Sequence, residues 1–139
     1  MRVLFDTNVV LDVLLDREPH AEVATRLLSL VDLGRIDGVV CATTVTTIHY
    51  LASRAIGHKA ATRHVRELLE LFDVAPVDGH VLRSALGAAF ADHEAAVLHE
   101  AARASGASAI VTRNGKDFMG ASLAVLDPAE LLAAALAAE

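Results

Sequence analysis

Short apolar runs alternate with longer amphipathic segments along this chain. Each run is rich in β-branched residues and bounded by polar ones, as in strands that are buried on both faces of a sheet. The runs predict strands over residues 2–5, 39–42, 72–77, 109–111 and 123–126. Pro76 interrupts the third run and places it at an edge of the sheet. Strands that alternate with helices predict an α/β fold with a central, mostly parallel, twisted sheet of about five strands and helices on both faces.

The segments between these runs carry apolar residues at helical spacing. They predict helices over residues 11–15, 20–33, 59–71, 81–90 and 92–105. A further helix is expected to be capped by Thr43 or Thr44 and to end at Gly57. The residues that it should bury are Val45, Ile48, Leu51 and Ala52. Pro19 favours the start of the helix over 20–33, and the pair Asp127-Pro128 favours the start of a last helix.

The composition excludes several classes of protein. With 54% hydrophobic and 22% charged residues in 139, the chain is folded, and residues 1–139 are expected to form one domain. No stretch reaches the roughly 18 apolar residues of a membrane span, and the first run is too short for a signal peptide. The single cysteine, Cys41, excludes an internal disulfide, while His49 and His93 lack partners at zinc-ligand spacing. We therefore expect a cytoplasmic protein with no membrane partner.

The basic residues are unevenly distributed. The net charge is −6, from 12 Lys and Arg against 18 Asp and Glu, which argues against indiscriminate binding of nucleic acid. Between positions 54 and 66, however, no acid interrupts the basic residues Arg54, Lys59, Arg63 and Arg66. Such a helix face suits a polyanion, although an ordinary solvated face also explains any one of these residues.

Acids and amides directly follow two of the predicted strands. Asp6 and Asn8 come after the first strand, and Thr112, Asn114 and Asp117 come after the fourth. In an open parallel sheet, ligands bind at the carboxyl ends of the strands, and hard divalent cations prefer such oxygen ligands. The two strand ends therefore predict a metal site. Helix capping by Asp6 and turn formation by Asn114 stay open as structural alternatives.

Two helices bring further carboxylates toward this site. The apolar stripe of the helix over 92–105 extends back to its first turn, so Glu94 is expected on the inward side, where the helix dipole and a cation would stabilise it. Asp92 also suits the N-cap of that helix. On the first helix, Asn8, Asp12 and Asp16 have the spacing of one face, on which Asp16 is expected to be solvated while Asn8 and Asp12 could face the site.

These motifs, in this order, resemble the PIN-domain family of metal-dependent ribonucleases, which includes the VapC-type toxins of bacterial toxin–antitoxin pairs. The resemblance covers nearly the whole chain and is carried by residues 3–9, 42–48, 92–95, 110–114 and 117–118. It implies a parallel α/β fold in which carboxylates bind Mg²⁺ or Mn²⁺ and RNA is cleaved. It also implies RNA and a small antitoxin as partners, and a homodimer.

The resemblance matches Asp6 to the first acid of the family and Asn114 with Asp117 to its last motif, and the helix positions and charge pattern above suggest the remaining roles. The metal ligands would be Asp6, Glu94, Asp92 and Asp117, with Asp6, Asp117 and Glu94 as the catalytic acids. The supporting residues would be Asn8, Thr47, Thr112 and Asn114. The contacts to the RNA backbone would come from Arg54, Lys59, Arg63, Arg66 and Arg113.

Two departures from the family pattern put the activity in question. Thr47 stands where the family often has a glutamate, and Ala95 stands where an acid is expected. A carboxylate missing at about 4 Å from a cation removes roughly 4 kcal/mol of attraction at an effective dielectric constant near 20. The chain is therefore either a weakened ribonuclease or a degenerate PIN domain that binds RNA or protein without cutting. A dehalogenase-like phosphatase is disfavoured, because Asn8 stands where that chemistry needs a second aspartate.

Overall fold

A single parallel sheet organises the computed structural model, which describes residues 1–138. The strands are β1 (Arg2–Phe5), β2 (Asp37–Cys41), β3 (Asp73–Ala75), β4 (Ala109–Val111) and β5 (Ala124–Leu126). Their spatial order is β3-β2-β1-β4-β5, which confirms the predicted α/β fold and the edge position of the third strand. β3 is shorter than predicted and stops before Pro76, whose nitrogen has no hydrogen to donate to the sheet.

Seven α-helices connect or follow these strands within residues 1–138. They are α1 (Thr7–Leu14), α2 (Ala21–Asp32), α3 (Ala42–Ile56), α4 (His58–Leu71), α5 (Gly79–Leu86), α6 (His93–Ala104) and α7 (Pro128–Ala137). A short 3-10 helix covers Gly115–Phe118. Asp127 caps α7 as predicted and forms a capping box with Glu130. None of the helices in the described part of the chain has both the length and the apolar character needed to cross a membrane.

The sheet separates two apolar cores because successive strand residues point to opposite faces. Val3 and Phe5 of β1 pack in one core with side chains from α1 to α4 and α7, whereas Leu4 packs in the other core with α5 and α6. All three side chains are fully buried. Since helices cover both faces, the carboxyl ends of the strands are the natural place for a polar crevice.

The first two helices begin at different residues from those predicted. α1 begins at Thr7 and not at residue 11, because the Asp6 carboxylate accepts the Thr7 N–H at 2.7 Å and occupies the N-cap. α2 begins at Ala21 and not at Pro19. The chain first makes a turn in which the Ala21 N–H donates to the carbonyl of Arg17 at 2.9 Å.

The predicted N-cap of α3 was also wrong, although its predicted end at Gly57 is confirmed. The helix begins at Ala42, with Cys41 at the N-cap, so both threonines lie inside it. Thr44 is buried, and its hydroxyl is 3.0 Å from the hydroxyl of Thr7 in α1. Leu51, which was expected to be buried with the apolar stripe, is 39% exposed. Ile48 and Ala52 are fully buried as predicted, and Leu51 borders the cavity described below.

Aspartates cap the two helices that precede β4. The Asp78 carboxylate accepts an N–H of the first turn at 2.9 Å, so α5 begins at Gly79, two residues earlier than predicted, and it ends at Leu86 instead of residue 90. The predicted capping of α6 by Asp92 is confirmed, since its carboxylate accepts the Ala95 N–H at 2.9 Å. This cap fixes the first turn of α6 at the end of the sheet.

The direction of chain connection changes at β1. β2 and β4 both pair with β1 in parallel, one on each side. Phe5 is in register with Val111, so Asp6 and Thr112 leave the sheet side by side. A switch point of this kind opens a crevice at the carboxyl ends of the two strands, where ligands bind in α/β folds.

Candidate functional site

Asp6 lies at the centre of this crevice, between β1 and α1. One carboxylate oxygen accepts the Thr7 N–H at 2.7 Å, and the other accepts the hydroxyl of Thr112 at 2.7 Å. The Asn8 amide nitrogen lies 3.4 Å from this second oxygen and 3.4 Å from the Thr112 hydroxyl. The capping role considered from the sequence is thus confirmed, and the same carboxylate faces the crevice.

The loop after β4 is tied to α1 by polar contacts. The Thr112 hydroxyl accepts the Asn114 N–H at 3.0 Å, and the Asn8 side-chain oxygen accepts the Arg113 N–H at 3.3 Å. Phe118 is buried and anchors the 3-10 helix in the core beside α6. Asp117, one residue earlier, is left half-buried at the crevice.

A cavity of about 350 Å³ occupies this end of the sheet. The acids that line it are Asp6, Asp92, Glu94 and Asp117. Its other predicted site residues are Asn8, Thr47, Asn114 and Arg113. Thr112 is buried behind Asp6. The structure therefore brings the four predicted carboxylate ligands into one cavity, although β1, α6 and the loop after β4 are far apart in sequence.

Negative charge in this cavity is poorly neutralised. Burial raises the pKa of Asp6 above its ordinary value, and the nearby Asp117 and Asp92 carboxylates raise it further, against the opposing hydrogen bonds from Thr112 and Thr7. The pKa of Glu94 is raised first by its partial burial and then by Asp6 and Asp92. Asp6 and Glu94 are therefore harder to ionise than ordinary carboxyl groups until a positive charge enters the cavity.

The donor set suits a hard divalent cation, since every acid offers carboxylate oxygen. The distances between the acids are less favourable for a metal ion than their chemistry. Among residues 1–138, no three His, Cys, Asp or Glu side chains lie close enough together to hold a metal ion. Ala95 lines the same cavity with a methyl group, which is not a ligand. The residues present thus fit a metal by their chemistry and would form an open set around it.

The predicted RNA-binding residues of α3 and α4 lie outside the cavity lining. Lys59, Arg63 and Arg66 are exposed on α4, and Arg54 is exposed near the end of α3, where its guanidinium donates to the Tyr50 hydroxyl at 2.8 Å. α3 connects the two regions, because its residues 47 and 51 border the cavity. Of the four basic residues, Arg54 therefore lies on a helix that also borders the acidic cavity.

Asp12 is the residue whose place was wrongly predicted. It is fully buried and does not line the cavity, and Asp16 lies beyond the end of α1 with a φ of +48°, so the expected common face does not exist. The Asp12 carboxylate instead accepts from Arg17 Nε at 2.9 Å and from Arg113 Nε at 2.6 Å. An acid within the apolar run of α1, with an arginine five residues later, was the sequence signal for this ion pair. The RNA contact of Arg113 stays a prediction.

The fold and the site define a parallel α/β domain with an acidic cavity at the switch point of its sheet. The chain belongs to the PIN-domain family, whose family model matches residues 2–116. This confirms the resemblance found in the sequence motifs. No curated protein sequence matches the chain significantly.

Solved structures with the same fold support this assignment. The crystal structure of FitAcB from Neisseria gonorrhoeae is 23% identical, covers 91% of this chain and 97% of that chain, and has a TM-score of 0.65. VapBC2 from Rickettsia felis, bound to a DNA fragment from its promoter, is 13% identical. The match covers 91% of this chain and 98% of that chain, with a TM-score of 0.68. A chain of a toxin–antitoxin complex from Klebsiella pneumoniae is 19% identical. The match covers 91% of this chain and 97% of that chain, with a TM-score of 0.68.

Asp6→Asn is expected to flatten the pH dependence of stability of the metal-free protein. The pKa of Asp6 is raised above the ordinary 3.8, so the folded state binds more protons than the unfolded state between the ordinary and the raised pKa. The free energy of unfolding of the native chain therefore falls as the pH rises through that interval, and D6N lacks this fall. Urea denaturation of both proteins in EDTA, from about pH 3 to about pH 8, measures the difference.

Asp78→Asn is the control, because Asp78 contributes to the pH dependence of stability in the opposite direction from Asp6. Hydrogen bonding from the Val81 N–H lowers the pKa of Asp78, so its stabilisation is present above the ordinary pKa and is lost as the pH falls through the lowered one. Parallel pH profiles for D6N and the native chain would contradict the raised pKa of Asp6.

Proposed function

We propose that this protein is a divalent-metal-dependent ribonuclease whose activity is weakened by Ala95, and that it acts as the toxin of a toxin–antitoxin pair. The observation that carries the proposal is the meeting of Asp6, Asp117 and Glu94 in one cavity at the carboxyl ends of β1 and β4. The unneutralised charge of these acids favours a cation, and a PIN domain with this arrangement suits phosphodiester cleavage.

The proposed site uses carboxylates as ligands and polar groups to orient them. The proposed ligands are Asp6, Asp117, Glu94 and Asp92, and the supporting residues are Asn8, Thr47, Thr112 and Asn114. A bound Mg²⁺ or Mn²⁺ would supply an activated water and stabilise charge on the phosphate. The Thr112 hydroxyl, 2.7 Å from Asp6, fixes the orientation of that carboxylate.

The basic face of α4 is the proposed contact for the RNA backbone. Lys59, Arg63 and Arg66 are separated by four and three residues and therefore share one side of the helix. An acidic cavity repels phosphate, so attraction must come from basic residues nearby. Arg54 at the end of α3 extends this surface.

We further propose a small antitoxin as the protein partner and the cytoplasm as the location. Support comes from the toxin–antitoxin complex of Klebsiella pneumoniae, which shares the fold. Co-expression of this chain with the product of a small gene directly upstream of its own is expected to yield a co-purifying complex. Recovery of the chain alone would contradict this partner. Light scattering of the chain expressed alone checks the predicted homodimer.

A degenerate PIN domain that binds RNA or protein without cutting is the second candidate. It is favoured by the absence, within residues 1–138, of three potential ligand side chains close enough to hold a metal. Ala95 and Thr47 also line the cavity without offering a carboxylate. A single substitution separates the two candidates.

Ala95→Asp is expected to raise Mn²⁺-dependent cleavage of a structured RNA by roughly tenfold or more. Position 95 lines the cavity, and a carboxylate about 4 Å from a cation contributes roughly 4 kcal/mol at an effective dielectric constant near 20. A tenfold change in rate needs only about 1.4 kcal/mol of that interaction. Initial rates with Mn²⁺ and with EDTA measure the effect.

His93→Asp is the matched control, because it adds the same charge to the first turn of α6 at a position outside the cavity lining. Adding Asp6→Asn to A95D should abolish cleavage. If folded A95D cuts no RNA, the non-catalytic candidate is favoured. Cleavage that persists in D6N and in EDTA would indicate a contaminating nuclease.

Arg63→Ala combined with Arg66→Ala is expected to weaken binding of single-stranded RNA. Each lost phosphate contact lowers the slope of log K against log salt by about 0.7, so the double variant should lose about 1.4. Fluorescence anisotropy at several salt concentrations, in EDTA, measures this slope. Arg26→Ala with Arg83→Ala removes the same charge from exposed positions on α2 and α5. Equal losses in both double variants would contradict a specific face on α4.

A further inference from the structure

A buried ion cluster lies directly behind the acidic cavity. Its centre is Asp12, which is 0% exposed and lies outside the proposed ligand set. A carboxylate at this depth is stable only with hydrogen-bonded cationic partners. Arg113 provides two of these hydrogen bonds, from Nε at 2.6 Å and from Nη2 at 3.1 Å, and Arg17 provides a third from Nε at 2.9 Å.

Both arginines also line the cavity that contains the four acids. Arg113 directly follows Thr112, whose hydroxyl is 2.7 Å from the Asp6 carboxylate. Arginine side chains are long, permanently charged and well matched to carboxylates. Without a stronger partner, these guanidinium groups would pair with the cavity acids and occupy the positions that a cation needs.

The cluster fixes the direction of both guanidinium groups. Arg17 donates to the Asn8 carbonyl at 3.3 Å as well as to Asp12, so its side chain lies along α1. Arg113 donates its N–H to the Asn8 side chain at 3.3 Å and its guanidinium to Asp12 through two nitrogens. The two arginines are thus turned toward the buried side of α1.

We propose that Asp12 is a positioning residue, which holds Arg113 and Arg17 in ion pairs and thereby keeps the cavity carboxylates available for a divalent cation. This inference rests on the proposed metal-dependent function and extends it to a residue that touches neither metal nor RNA. Asp12 acts only through the two arginines, so its effect must depend on them.

The first test measures the Mn²⁺ affinity of the full chain by electron paramagnetic resonance of the free ion. Asp12→Asn is expected to weaken binding by about tenfold, because a guanidinium freed from Asp12 must be displaced from the cavity carboxylates before Mn²⁺ binds. Adding Arg113→Met to D12N should restore most of this loss, because the competing guanidinium is gone. Asp16→Asn, an exposed acid beyond α1, controls for the change in net charge. A double variant as weak as D12N would overturn the proposal.

Arg113→Met alone keeps the proposal testable if D12N does not fold. This variant leaves Asp12 paired with Arg17 and removes one guanidinium from the cavity wall. Its Mn²⁺ affinity should equal or exceed that of the native chain. A merely structural ion pair predicts the reverse, since both ends of the pair would then be needed, and a weaker affinity in R113M would overturn the proposal.

A spectrum of the metal-free protein separates this inference from the proposed function. The Nε–H signal of Arg113 in ¹⁵N-labelled protein should move in D12N but stay protected from exchange, and should lose that protection when Asp6→Asn and Asp117→Asn are added. An exposed, unprotected signal in D12N itself would show that the guanidinium turns to solvent, which overturns the inference. Absence of Mn²⁺ binding and cleavage in both the native chain and A95D overturns the proposed function instead.

Discussion

The Thr112–Asp6 hydrogen bond is the contact on which the site depends. It joins the end of β4 to the end of β1, where the direction of chain connection changes, and it places a carboxylate in the crevice between these two parallel strands. Together with the Thr7 N–H it favours the charged form of Asp6, yet burial and the neighbouring acids outweigh both bonds and the pKa stays raised. The fold thus holds a carboxylate whose charge its own hydrogen bonds do not fully stabilise.

The charged residues around α1 form two groups that differ in their ratio of positive to negative side chains. Behind α1, the Asp12 carboxylate receives three hydrogen bonds from two guanidinium groups and is more than neutralised. In front of it, four carboxylates line the cavity with no comparable partner bonded to them in the described residues. The two groups share Asn8, whose carbonyl accepts from Arg17 and whose side chain contacts Asp6. The paired charges of Asp12 and the two arginines thus lie behind α1, and the carboxylates of the cavity lie in front of it.

Much of this arrangement could be predicted from sequence because it depends on local patterns. A short apolar run followed by polar residues predicts both a strand and the side chains at its carboxyl end, which located Asp6 directly after β1 and Asp117 in the segment after β4. The errors came from contacts between distant residues. Thr44 suits a cap by its type, but its contact with Thr7, 37 positions earlier, buries it inside α3. Asp12 pairs with Arg113, 101 positions later, and no periodicity along α1 contains that information.

The capping duties of the acids make them unequal in how easily evolution can remove them. Asp6 caps α1 and Asp92 caps α6, so replacing either one by alanine costs about 1 kcal/mol of helix stability in addition to any loss of a ligand. Position 95 accepts no hydrogen bond through its side chain and fits an alanine. A substitution at position 95 therefore changes the cavity without removing a helix cap, whereas alanine at position 6 or 92 removes both a cap and a cavity carboxylate. An intact first motif in a chain of this fold therefore reports on folding as much as on catalysis.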